Sequence, residues 1–259
     1  MAGTKARALL RILGGKVCIA LLTINIAVFV ILHLCVWCGI DSHTATSALS
    51  MPTDFDAIAV RPWTPLTYMF TQWNLLHLLA NMLWMAAFGA IFFHIGLPGL
   101  TWRIYLAGGV CGAAAFMAAA APGSGTEMLA GSSAAVMGLV CAAAVYRPHA
   151  RISLMLFGEF PLWILASIVI ALYAVISIPS ATTCAAHIGG ALGGGIYAYA
   201  EKVIRKRHAL RANRALQHTA KADIHAELDE ILAKVGRSGY GSLSRHERQR
   251  LFEISRQLK

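Results

Sequence analysis

His77 and Asn81 stand four residues apart, Gly131, Ser132 and Ser133 open an apolar run, and His187 is followed by Gly190 and Gly194. A serine beside a histidine is the minimum for an activated nucleophile, because imidazole can take the hydroxyl proton. Side chains at i and i+4 share one helix face, so His77 and Asn81 offer two donors together. Ser133 lies where a helix should start, and free N–H groups with partial positive charge there favour an oxyanion. The chemistry these types permit is acyl transfer. Each of them stands in apolar sequence, where a polar side chain is costly in lipid. Serines in such helices often only bond back to the preceding turn, and Gly/Ala/Ser stripes often mark close helix packing. The joint occurrence of Ser, His and a His-x-x-x-Asn pair is therefore what points to a site.

The elements that must hold these residues are membrane helices. The chain of 259 residues is 58% hydrophobic and 13% charged, against roughly 25% charged in a soluble domain. Residues 17–200 contain Arg61, Arg103, Arg147 and Arg151 as their only Lys or Arg, with Asp41, Asp54, Asp56, Glu127 and Glu159 as acids. Windows near 17–40, 73–95, 102–121, 131–147, 160–178 and 183–201 approach the roughly 20 apolar residues of a spanning helix. Lipid leaves no partner for open backbone groups, so these stretches must be helical. The expected fold is all-α: a polytopic bundle of six transmembrane helices with a short helical tail. The first window is too long for a signal-peptide core and no small-x-small site follows, so it reads as a retained helix.

Six spans put both termini on one side, with every Lys and Arg except Arg61, which predicts cytoplasmic termini. The second, fourth and sixth spans then have their outer ends near residues 73, 131 and 183. His77, Ser133 and His187 lie about one turn below that face and Asn81 one turn deeper, within reach of a single outward-facing pocket.

The expected organisation is a basic N-terminus at 1–16, a six-helix domain at 17–201 with a long outer loop at 41–72, and a tail at 202–259. The loop's Trp63 and Tyr68 suit anchoring at headgroup level. The tail opens on Lys202, Arg205, Lys206, Arg207, Arg211 and Arg214, suited to anionic headgroups. The basic excess of +10 is thereby explained by topology, and nucleic acid is not an expected partner. Ile224, Leu228, Ile231, Leu232 and Val235 then predict a helix to Gly236. Ser244 and Glu247 form a capping box before Leu251, Ile254 and Leu258. Such a hairpin is too small to bury a good core alone and should dock on membrane, on a cytoplasmic partner or on itself.

The six cysteines read as small buried hydrophobes. A His-Glu-x-x-His zinc motif, a buried aspartate dyad and a phosphate loop are all absent, so neither metal nor cofactor is expected.

With these motifs in hand, the chain resembles the rhomboid family of intramembrane serine proteases. The likeness is carried by PWTPLTYMFTQWNLLHLLANMLWM, GSSAAVMGL and AHIGGALGGG. The family pattern is His-x-x-x-Asn, Gly-x-Ser-Gly and Ala-His with small residues three and seven later. The resemblance implies Ser133 as nucleophile, His187 as general base, and an oxyanion hole from His77, Asn81 and the Ser133 N–H. Gly131, Gly190 and Gly194 would support helix packing, and Ser132 fills the variable position. It implies cleavage of membrane-protein substrates through an acyl-enzyme, in a bacterial inner membrane. A client-binding pseudoprotease is the alternative. Three positions depart from the pattern. Ala134 replaces a Gly, Thr64 replaces the Arg that follows Trp63, and Met137 stands where some members carry a Tyr against the histidine.

Overall fold

The computed structural model describes residues 10–120, 127–154 and 158–257. The chain divides into two compact units, Met1–Glu201 and Lys202–Lys259. In the first, α1 (Gly15–Trp37) leads to short helices α2 (Ser42–Ser47), α3 (Phe55–Val60) and α4 (Thr64–Thr67), then to α5 (Leu75–His94) and α6 (Pro98–Ala119). After these come α7 (Ser133–Tyr146), α8 (Leu162–Ile176) and α9 (Ala181–Ser238), of which the part up to Glu201 belongs to this unit. The expectation of an all-α chain holds but for two small antiparallel ribbons. One pairs β1 (Met51–Pro52) with β2 (Met128–Leu129), and the other pairs β3 (Arg151–Leu154) with β4 (Gly158–Pro161).

Among the described residues three helices, α1, α5 and α6, are long and apolar enough to cross a membrane by length and composition. Two more apolar helices, α7 and α8, are shorter than their sequence windows implied, at 14 and 15 residues. At 1.5 Å per residue α7 rises about 21 Å, less than a hydrocarbon core of about 30 Å. Burial explains how α7 can be so short. Every residue from Ser133 to Val140 is buried, so α7 is enclosed by protein. The core around it is filled by Tyr105, Phe88, Phe92, Phe116, Met85 and Leu139. Ile31, Leu83, Ile168 and Ile196 point outward with half or more of their surface open. Helices that are apolar outside as well as inside suit lipid rather than water, and the chain is an integral membrane protein.

The segment between α1 and α5 is folded onto the bundle. Arg61 Nη1 donates to the Ser47 carbonyl, Trp63 Nε1 to Ala48 at 2.8 Å and Thr67 Oγ1 to Leu49 at 2.8 Å. Three side chains thus bind three successive carbonyls. Tyr68, expected at the headgroups, is instead fully buried and donates to the Gly109 carbonyl at 2.7 Å. A Cβ on Gly112 would lie 3.2 Å from the Tyr68 hydroxyl, so the bare glycine leaves the phenol room inside the bundle, where its hydroxyl must find a partner. Trp63 remains about half exposed. In the turn expected over 122–130, residues 121–126 lie outside the described residues, and Met128–Leu129 form β2.

The second unit contains the rest of α9, a tight turn at Tyr240–Ser242 and α10 (Arg245–Gln257). The helix passes through Gly236, where an end was expected, and stops before Gly239, whose φ of +75° terminates it. The capping box forms as expected: Glu247 N–H donates to Ser244 Oγ at 3.2 Å, and Ser244 N–H to Glu247 Oε2 at 2.7 Å. Ile231, Leu243 and Ile254 are buried between the two helices. Lys234 Nζ meets Glu247 at 2.7 Å, and Arg250 holds Glu227 with Nε at 2.9 Å and Nη2 at 2.9 Å. Leu258 lies outside the described residues.

Candidate active site

Ser133 is the first residue of α7, and its Oγ lies 2.7 Å from Nε2 of His187, on the second turn of α9. Both side chains are largely buried, yet both line a cavity of about 640 Å³. Its walls are His77, Ala80 and Trp84 of α5 on one side, and Leu172, Tyr173 and Ile176 of α8 on the other. Met128 and Leu129 of β2 add an apolar rim. A serine hydroxyl at hydrogen-bond distance from an imidazole, open to a cavity, is the geometry of an activated nucleophile.

Glycines make this approach of α7 and α9 possible. A Cβ on Gly190 would lie 2.2 Å from the Ala134 carbonyl oxygen, and one on Gly194 would lie 2.3 Å from the Gly138 Cα. Any side chain at either place would drive the two backbones apart. Gly131 has a different place from the one expected. It precedes α7 with φ +120°, and a Cβ there would lie 3.0 Å from His77 Cε1. It therefore lets the His77 ring sit against the loop. Gly131 N–H donates to the Tyr68 carbonyl at 3.0 Å, tying that loop to the segment before α5.

The first-turn N–H groups of α7 have no carbonyl one turn earlier to receive them, which leaves them available near Ser133 Oγ. His77 lines the cavity, but Asn81 is fully buried. The Asn81 amide donates from Nδ2 to Gln72 Oε1 at 3.0 Å and accepts from Tyr173 OH at 3.0 Å. Gln72 Nε2 in turn donates to Asn25 Oδ1 and Ser132 Oγ, both at 3.0 Å. A buried polar chain thus runs from α1 through Gln72 and Asn81 to Tyr173.

Tyr173 meets His187 edge-on, with ring centroids 5.3 Å apart and planes at 87°. The aromatic partner of the imidazole thus comes from α8. Residue 137 holds a buried Met on α7. Ser177, just past the end of α8, places its Oγ 2.6 Å from His187 Nδ1. Gln72, Tyr173 and Ser177 gave no signal in the sequence, because a polar residue at a helix end and a tyrosine in an apolar helix are ordinary there. Ala134 is accommodated from across the interface: a Cβ on the facing Gly112 would lie 2.7 Å from the Ala134 methyl, so the bare Gly112 leaves it room. Thr64 is buried, and its hydroxyl donates to the Arg61 carbonyl at 2.9 Å. All six cysteines are free thiols, but of the six expected to be buried only Cys18 is. Cys35, Cys141 and Cys184 are partly exposed, and Cys38 and Cys111 are exposed because one lies just past the end of α1 and the other on an outward face of α6. Among the described residues, no group of three or more His, Cys, Asp or Glu is placed to hold a metal.

No curated protein matches the chain. Residues 218–257 match a family of unknown function (DUF6576), which covers the hairpin. The Rhomboid domain matches residues 60–202, more than half of the chain and the stretch that carries His77, Asn81, Ser133 and His187. The chain belongs to the rhomboid family.

Proposed function

We propose that the chain is an intramembrane serine endopeptidase that cuts transmembrane or juxtamembrane segments of membrane proteins. The observation that carries this reading is the 2.7 Å contact between Ser133 Oγ and His187 Nε2 inside a cavity. His187 takes the hydroxyl proton as Ser133 attacks the scissile carbonyl. The backbone N–H of Ser133, the His77 ring and the second Nδ2 hydrogen of Asn81 receive the oxyanion. The imidazolium then protonates the leaving amine, and an acyl-enzyme remains on Ser133. Water enters the cavity, gives a proton to His187 and releases the acyl group. No carboxylate takes part, and no cofactor is needed.

The reading includes six spans, with α7, α8 and the first part of α9 completing the bundle begun by α1, α5 and α6. A central α7 shorter than the membrane fits it. The site then lies below the outer face but open to water, as irregular backbone at membrane depth requires. Both termini face the cytoplasm of a bacterial inner membrane, by the distribution of Lys and Arg. Residues 1–16 are a basic terminus, 17–201 the protease domain and 202–259 a cytoplasmic tail that meets headgroups or a partner.

The test is cleavage of a model transmembrane substrate by the purified parent, Ser133→Ala and His187→Ala. Cleavage by the parent alone is expected. Cutting that survives both substitutions would sink the dyad. A parent that binds the substrate without cutting it would be a pseudoprotease.

A further inference from the structure

The Ser133–His187 pair has a third member that is not a carboxylate. Ser177 Oγ donates to the Tyr173 carbonyl at 2.6 Å, which uses its one hydrogen. With that hydrogen on the carbonyl, the 2.6 Å contact between the same Oγ and His187 Nδ1 suits a bond from Nδ1–H to the oxygen. With the proton on Nδ1, Nε2 carries a lone pair and accepts from Ser133 Oγ at 2.7 Å. The opposite arrangement would put the proton on Nε2 and leave Ser133 without a base.

We infer that Ser177 is the positioning residue of the dyad, fixing the reactive tautomer of His187 and joining it to the C-terminal carbonyls of α8. The inference rests on the protease reading for its catalytic meaning. A buried carboxylate usually has two duties in such a site: it holds the imidazole in one tautomer and it stabilises the imidazolium. Here the hydroxyl performs the first. The end of α8 performs the second, because the last carbonyls of a helix carry partial negative charge. Ser177 N–H also donates to Tyr173 O at 3.1 Å and Ala174 O at 3.2 Å, which keeps the hydroxyl in place. Tyr173 closes the arrangement with its ring edge against the imidazole. Two contacts on His187 thus come from the last turn of α8 and the residue that caps it, and α8 also forms a cavity wall.

The experiment compares the full-length parent with Ser177→Ala, Ser177→Thr and Ser133→Ala. It reads kcat and KM on a model transmembrane substrate, thermal unfolding, and the 15N imidazole spectrum of His187 assigned through His187→Ala. Ser177→Ala should lower kcat by about 10- to 100-fold, a part of what a general base supplies, with KM within about twofold. It should also turn the His187 spectrum from the Nδ1–H form to a mixture of tautomers. Ser177→Thr keeps the hydroxyl and should restore most of both. A residue that only ends the helix would change the unfolding temperature and leave the tautomer alone. Ser177→Ala with the parent's kcat and the parent's spectrum overturns the inference while the dyad stands. A parent that cuts nothing but keeps a Ser177-dependent Nδ1–H tautomer overturns the protease reading and leaves the positioning role intact.

Discussion

Gly190 packs its Cα against the backbone of Ala134, close enough that a Cβ would come 2.2 Å from the Ala134 carbonyl oxygen. Ala134 follows Ser133, and Gly190 is one turn beyond His187, so this contact sets the distance across the dyad. A methyl at 190 requires the helices to part by about an ångström to reach ordinary contact. A bond of 2.7 Å then passes out of hydrogen-bond range. Gly190→Ala should therefore lower kcat by about 100-fold or more, the usual cost of such a misplacement. Gly99→Ala is the control, because its Cβ would meet nothing nearer than 3.8 Å. Cleavage assays on both variants check this, and equal activities would show that the helices repack without moving the dyad.

Arg61 stands three residues before Thr64, the place where the family motif has its arginine. It nonetheless ties the loop down: it bonds the Ser47 carbonyl, its own carbonyl accepts from Thr64, and Trp63 bonds the next carbonyl, Ala48. Arg61→Ala should free the 47–63 segment while leaving α5 and α6 in place. Faster proteolytic nicking in that segment is expected, with an unfolding temperature only slightly reduced. Arg61→Lys should rescue poorly, since a point charge does not reproduce the planar donor set. Limited proteolysis with mass spectrometry reads the outcome.

In the tail, Glu247 bonds Lys234 first of all and the Ser244 N–H next, and these hold its carboxyl down at about 2, from an ordinary 4.5. A depressed acid contributes stability above its unfolded value and loses it as pH falls through its folded value. The hairpin should therefore be unaffected at pH 6 and should loosen between about pH 4.5 and pH 2. Amide exchange over 239–257 in the full chain, corrected for intrinsic rates, should rise through that window. Glu247→Gln should remove most of the pH dependence and exchange faster at pH 6. A profile the same in parent and variant would count against the capping box as the determinant.

Ser133, His187 and His77 were legible because each is a polar residue in apolar sequence and the three share one calculated depth. That argument needs only helix rise and the charge bias of the loops. Gln72, Tyr173 and Ser177 were not legible for a physical reason. A glutamine before a helix start, a tyrosine in an apolar helix and a serine at a helix end each have ordinary local explanations. Only the tertiary fold brings α1, α5 and the residue before α7 together around the Gln72 amide, and joins α8 to them through Asn81. The end of α9 was misplaced for a similar reason, since Gly236 lacks the positive φ that Gly239 has. The windows overran α7 by Gly131, Ser132 and Arg147 and α8 by Phe160, Pro161, Ser177 and Ile178, which flank the helices without being helical.

His77 and Asn81 share a helix face, yet the fold gives them different surroundings, and this separates their expected effects. His77 reaches the cavity, whereas both ends of the Asn81 amide are bonded to Gln72 and Tyr173. Loss of an oxyanion donor typically costs about 100- to 1,000-fold in kcat, and His77→Ala should fall in that range with little change in unfolding temperature. Gln72→Ala leaves Asn25, Ser132 and Asn81 without a shared partner and should cost about 1 to 2 kcal/mol of stability. Its effect on kcat should be smaller than that of His77→Ala. Asn81→Ala should lower both quantities, because it removes a possible donor and also breaks the buried chain at its centre. Measuring kcat and unfolding side by side for the three variants decides the matter. If Asn81→Ala matches Gln72→Ala in both, the amide serves the scaffold alone, and the oxyanion depends on His77 and the Ser133 N–H.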